Sequence, residues 1–158
     1  MLLNDIQNKN SINPNSNKPY LVYTPFKNNL LKHSVNKPVE VKLTHNKDKI
    51  NSEYLIDIKE LKQFYQFNPD LHIEGGRTNA LKTLKQTKKL HDYNDNLNLL
   101  TYTTTNLSAA INLGLLSIRE VYHYIDTLGK DSGIINELYW REFYYNILYS
   151  LLFSQNRG

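Results

Sequence analysis

The chain has 158 residues, 40% hydrophobic and 22% charged, with a formal net charge of +4 at pH 7 and no cysteine. That composition suits one core of useful size or pieces of two, and it excludes disulfides, thiolate metal sites and cysteine nucleophiles. The small basic excess favours a polyanionic partner such as nucleic acid only as a general tendency.

The amino terminus, Met1-Leu2-Leu3-Asn4-Asp5, lacks the basic segment and long apolar run of an export signal. Residues 1–19 are rich in asparagine and punctuated by Pro14 and Pro19. With few apolar groups to offset the entropy of ordering, a loose tail is expected. Tyr20 to Phe26 carries the β-branched and aromatic content of a short extended segment that ends at Pro25. From Lys27 to about Ser52 the composition is that of a linker, with a brief extended piece at Val39-Glu40-Val41.

Helical periodicity follows. Leu55, Ile58, Leu61 and Tyr65 predict a weak amphipathic helix that stops before Pro69. After Gly75-Gly76, Ala80, Leu81, Leu84 and Leu90 predict a helix from Arg77 to Tyr93. Ser117 and Glu120 have the spacing of a capping box. Ile118, Val121, Ile125 and Leu128 then make an apolar stripe, with Gly129 placed to end the helix. A last helix is expected from Ser132 to Phe153, apolar almost all round and therefore suited to the inside of a larger assembly. Its most apolar part, Phe143 to Phe153, is too short to span a bilayer. A soluble, intracellular, mainly α protein with no membrane partner is expected.

Two groups of residues could carry chemistry. Thr104, Thr105 and Ser108 put hydroxyls and free amides where a helix begins, an arrangement that either binds phosphate or merely caps the helix. Glu137, Trp140, Arg141 and Tyr144 share one helix face. That face either stacks and hydrogen-bonds a flipped base or holds an ordinary Glu137–Arg141 pair beside a core tryptophan. Other features are weaker. Gly75-Gly76-Arg77 lacks the residues of a phosphate loop, the five histidines show no metal-ligand spacing, and Ser108 has no recognisable His and acid partners. Lys82, Lys85, Lys88 and Lys89 read as a solvated helix face, with phosphate-backbone contact as the alternative.

Three stretches resemble the DNA photolyase/cryptochrome family. Lys18-Pro-Tyr-Leu-Val-Tyr-Thr-Pro-Phe-Lys27 is similar to the segment closing that family's antenna domain. Thr104-Thr-Asn-Leu-Ser108, followed by Ala109 to Val121, resembles the family's Thr-Ser-x-Leu-Ser loop, short helix and Gly-x-Ile-Ser-x-Arg-x-Val segment. Asn136-Glu-Leu-Tyr-Trp140-Arg-Glu-Phe-Tyr144 is very close to its Glu-Leu-x-Trp-Arg-Glu-Phe-Tyr helix.

The resemblance implies the first part of a helical FAD-binding domain over residues 71–158. A linker with a weak helix would precede it at 30–70, and a loose tail with a remnant of the α/β antenna domain at 1–29. It implies FAD contacts at Tyr93, Thr104, Thr105, Leu107, Ser108 and Arg141, and contacts to dimer-containing DNA at Glu137, Trp140 and Arg141. Glu142 is expected to be structural. Leu97 stands where the family usually has an arginine, four residues after the phosphate-binding Tyr93. Relative to the family the chain is expected to be truncated at both ends, so that only part of the FAD site is present. No catalytic set is complete within it, and nothing in it indicates an antenna pigment. The implied activity is light-driven repair of pyrimidine dimers, exerted only with a second polypeptide carrying the rest of the flavin domain. The alternatives are a decayed, non-catalytic remnant and a helical DNA- or protein-binding module without photochemistry.

Overall fold

A computed structural model describes residues 12–40, 56–57, 59–66, 68–90, 93–99, 101, 104–129 and 133–154. It is mainly helical, with a single two-stranded sheet among the described residues. Two compact units are present, Met1–Pro38 with Gly75–Gly158 and, separately, Val39–Glu74.

In the larger unit, strands β1 (Ile12–Asn13) and β2 (Lys18–Pro19) pair antiparallel, Ile12 opposite Pro19. Of the loose tail expected over residues 1–19, residues 1–11 lie outside the described residues and residues 12–19 instead form a hairpin. Its asparagines are turn chemistry: the Asn13 side chain accepts from the Asn15 amide at 3.0 Å, and Asn17 takes the left-handed conformation at φ 52°.

The extended segment expected at 20–26 is also corrected. Helix α1 (Tyr23–Leu30) begins inside it, and the supposed linker residues Lys27–Leu30 complete it. Pro25 does not break the helix because it occupies the first turn, where backbone N–H groups have no intrahelical acceptor. Phe26 and Leu30, one turn apart, are each only 2% exposed. Tyr20 meets Phe26 edge-on from the preceding segment.

Helix α2 (Arg77–Gln86) buries Ala80 and Leu84, then tightens into a 3₁₀ turn, Thr87–Lys89. The helix expected to reach Tyr93 ends sooner. Thr87 is buried, and its hydroxyl donates to the Leu84 carbonyl at 2.6 Å, a local bond that competes with continuation of the helix. A short α3 (Tyr93–Asn96) follows, then α4 (Ser108–Asn112). Gly114, at φ 71°, ends α4 and lets the amides of Leu115 and Leu116 return to the Ala110 carbonyl.

Helix α5 (Ile118–Asp126) starts at the expected capping box between Ser117 and Glu120. Glu120 also forms a two-pronged pair with Arg77, at 2.7 and 2.9 Å, which ties α5 to the start of α2. Ile118, Val121 and Ile125 are buried, whereas Leu128 lies beyond the helix and is exposed. Helix α6 (Gly133–Ser154) packs against α5 and α1. It buries Ile134, Ile135, Leu138, Tyr139 and Phe143, and leaves Tyr144, Leu148 and Leu151 exposed. The N-terminal turn of α6 runs so close to α3 that a Cβ at Gly133 would collide with the Asn94 side chain.

In the smaller unit the expected helix through Leu55–Tyr65 is instead one short 3₁₀ helix, Glu60–Phe64, with no buried residue. Leu55 and Ile58 lie outside the described residues, as does Val41 of the expected extended piece. The Asp57 side chain takes the Lys59 amide at 2.9 Å and starts a turn. Without an apolar face packed on something, so short a segment has little to hold an α-helix together.

Candidate functional site

Arg141, midway along α6, and Ser108, which opens α4, line one open cleft of about 410 Å³ with Ala109, Ile111 and Asn112. The turn before α4 explains how Ser108 comes to sit there. Asn106 takes φ 53°, the Leu107 amide lies 3.5 Å from Thr105 Oγ1, and Leu107 is buried as an anchor. Thr105 therefore turns the chain and is half-buried, while Thr104 is exposed; neither lines the cleft. Tyr93 packs against the core beside the start of α6, near Gly133, and does not line it either.

The Arg141 guanidinium lies over the Tyr145 ring, 4.5 Å from its centroid, and one arm reaches the Tyr145 hydroxyl at 3.5 Å. Its Nη1 is 3.5 Å from Glu142 Oε1 but makes no hydrogen bond among the described residues. The anticipated Glu137–Arg141 pair does not form in this geometry; Arg141 turns to Glu142 and Tyr145. Glu142 is buried, in keeping with the structural role expected of it. Arg141 Nη1 is buried and does not open to the cleft. What the cleft offers is the rest of the partly exposed guanidinium together with the Ser108 hydroxyl and the Asn112 amide, a donor set that suits an oxyanion such as a phosphate. The neighbouring carboxylate offsets part of that charge.

Glu137, Trp140 and Tyr144 do share a side of α6, with Glu137 and Tyr144 exposed and Trp140 half-buried. Trp140 is already stacked. The Tyr23 ring of α1 lies parallel to it, centroids 3.6 Å apart and planes 6° apart. Phe143 meets Trp140 edge-on, and Tyr144 lies beyond at 5.8 Å. The Tyr23 hydroxyl donates to Asn136 Oδ1 at 2.6 Å, and Lys27 Nζ donates to the same oxygen at 2.8 Å. Burial, with the Glu137 carboxylate nearby, pushes the Tyr23 phenol up to about 12. Tyr23 and Asn136 are the site residues that sequence reasoning missed. Both fall inside the stretches that carry the resemblance, but no periodicity links residue 23 to residue 140.

Comparisons with protein-family models, curated proteins and solved structures found no match to this chain. No helix among the described residues is long and apolar enough to cross a membrane.

Proposed function

We propose that residues 71–158 are the amino-terminal part of a photolyase-like flavin-binding helical domain. In this reading the cleft takes the phosphate portion of FAD, and the Glu137–Trp140 side of α6 faces DNA containing a pyrimidine dimer. The observation that carries it is the convergence of Ser108 and Arg141 on one cleft. The resemblance had named those two positions from stretches far apart in the chain. FAD, when bound, supplies the light-driven electron that splits the dimer. The chain's own part is to hold phosphate oxygens at Arg141 and Ser108 and to present Glu137 and Trp140 beside them. Leu148 and Leu151, exposed further along the same side of α6, would receive the helices that complete the flavin site, supplied by a second polypeptide in this proposal.

Titration with FAD, followed by Trp140 fluorescence and flavin absorbance, tests the cleft. A weak saturable response is expected from this partial site. Arg141→Ala should weaken it about tenfold, the order of one charge-assisted hydrogen bond, while Lys85→Ala leaves it unchanged. Tight, stoichiometric flavin would refute the partial-site assignment, and an unchanged response in Arg141→Ala would refute the cleft.

The Tyr23–Trp140 stack favours a second reading, a helical binding module without photochemistry, because one face of the indole is already covered. Such a module would bind DNA without flavin and without preference for a dimer. A decayed remnant would do neither.

A further inference from the structure

A second pocket is lined by the segment after α1, by α5 and by α6, and shares no lining residue with the Ser108–Arg141 cleft. It encloses about 480 Å³, within the roughly 300–1,000 Å³ usual for small-molecule sites. Its most buried lining residues are Val35, Ile135 and Tyr139, the last to 1% exposure. The Tyr122 ring stands nearly perpendicular to that of Tyr139, their centroids 6.3 Å apart. Burial, with Tyr122 close by, raises the Tyr139 pKa, so that phenol stays neutral at ordinary pH.

The polar groups are divided by depth. Asp126, half-buried on α5, supplies a carboxylate that only accepts hydrogen bonds when ionised. At the exposed mouth, Lys32, His33 and Ser34 lie consecutively just past α1, three side chains able to donate. The mouth segment is tied down. His123 Nε2 lies 3.1 Å from the Asn36 carbonyl oxygen, which can only accept, so that nitrogen carries the proton. The His33 amide donates to the Leu30 carbonyl at 2.9 Å. An apolar, aromatic-lined floor, an acceptor on α5 and a cluster of donors at the exposed mouth together suit a ring bearing N–H groups and carrying an anionic tail.

We propose that this pocket binds a nucleoside monophosphate with an amino-bearing base. The base lies against Tyr122, Val35 and Ile135 with its amino group toward Asp126, and the phosphate sits at Lys32, His33 and Ser34. Aromatic walls take any base by its face. The Asp126 carboxylate selects among bases, favouring adenine over uracil, whose edge presents carbonyl oxygens on both sides of its single N–H. This assignment is independent of the flavin reading.

Calorimetric titration of the full chain with AMP tests it, with adenosine, inorganic phosphate and UMP as separate arms. AMP should bind one to one and at least about tenfold more tightly than each of the three. The double substitution Lys32→Ala, His33→Ala should weaken AMP about tenfold and leave adenosine unchanged. Asp126→Asn should erase the preference over UMP, and Ser34→Trp at the exposed mouth should abolish binding while leaving the melting temperature unaltered. Arg141→Ala, in the other cleft, should change nothing. Absence of saturable AMP binding at millimolar concentration would overturn the proposal. So would inorganic phosphate binding as well as AMP, or affinity indifferent to the mouth substitutions.

Discussion

Phe26→Ala tests whether α1 belongs to the helical core or to the linker that its composition suggests. The ring is 2% exposed and meets Phe143 at 5.4 Å between centroids and Tyr20 at 6.0 Å. Burying a phenylalanine is worth about 1.5–3 kcal/mol by transfer alone. The cavity left among Tyr20, Leu30 and Phe143 adds to that, giving an expected loss of about 3–5 kcal/mol. The assay is built into the fold: Trp140 is the sole tryptophan and stacks on Tyr23 of α1, so its fluorescence reports docking of that helix directly. With a urea slope of about 1.5–2 kcal/mol per M, the midpoint should fall by about 2 M, or the variant should be unfolded without urea. Leu31→Ala, one residue beyond the helix and 55% exposed, is the control and should move stability by less than about 0.5 kcal/mol. An unchanged midpoint in Phe26→Ala would show that α1 is peripheral and that Trp140 is not held by Tyr23.

Glu120→Ala removes the reciprocal half of the capping box and the Arg77 pair together, so about 1–2 kcal/mol should be lost in thermal or urea unfolding. Arg77→Ala, at an exposed position, should cost less than about 1 kcal/mol. The raised Tyr23 phenol makes folding sensitive to alkali: its contribution is complete below pH 10, the ordinary value, and is lost as pH climbs through about 12. Tyr23→Phe should blunt that loss, read as the alkaline unfolding profile alongside phenolate absorbance. Trp140→Ala should weaken binding of dimer-containing DNA beyond its effect on undamaged DNA by the roughly 1–3 kcal/mol of a base stack less the cost of displacing Tyr23 from the indole; equal effects would leave it a packing residue.

The elements legible in the sequence were those whose signals are local. The Ser117–Glu120 box and the Ile118, Val121, Ile125 stripe place α5, because cap and periodicity agree there. α6 was legible for another reason, a long and nearly continuous apolar run. α1 was not, because Pro25 reads as a breaker until its place in the first turn is known, and Lys27, Asn28 and Asn29 resemble a linker although Phe26 and Leu30 are core. The hairpin was hidden by asparagines that signal disorder in bulk and turns in detail. In the smaller unit the opposite error arose: a correct-looking period around Leu61 and Tyr65 buries nothing.

At the site, helical spacing gave the shared side of Glu137, Trp140 and Tyr144 but was blind to what lies across from it. That neighbour, Tyr23, changes the energetics of the proposed DNA contact. Uncovering the indole would sacrifice an aromatic stack worth about 0.5–1.5 kcal/mol and the Tyr23–Asn136 hydrogen bond, about 0.5–1.5 kcal/mol. A base stacked in its place returns roughly 1–3 kcal/mol. The exchange nearly cancels, so Trp140 alone would hold a flipped base only loosely. Net preference for a dimer would have to come from a hydrogen bond to Glu137 or from cation–phosphate contacts, and the latter do not distinguish damaged from intact DNA. In the proposed reading, selectivity would therefore rest on Glu137 more than on the tryptophan. Glu137→Gln should narrow the difference between the two DNAs, whereas Tyr23→Ala, by freeing the indole, should widen it.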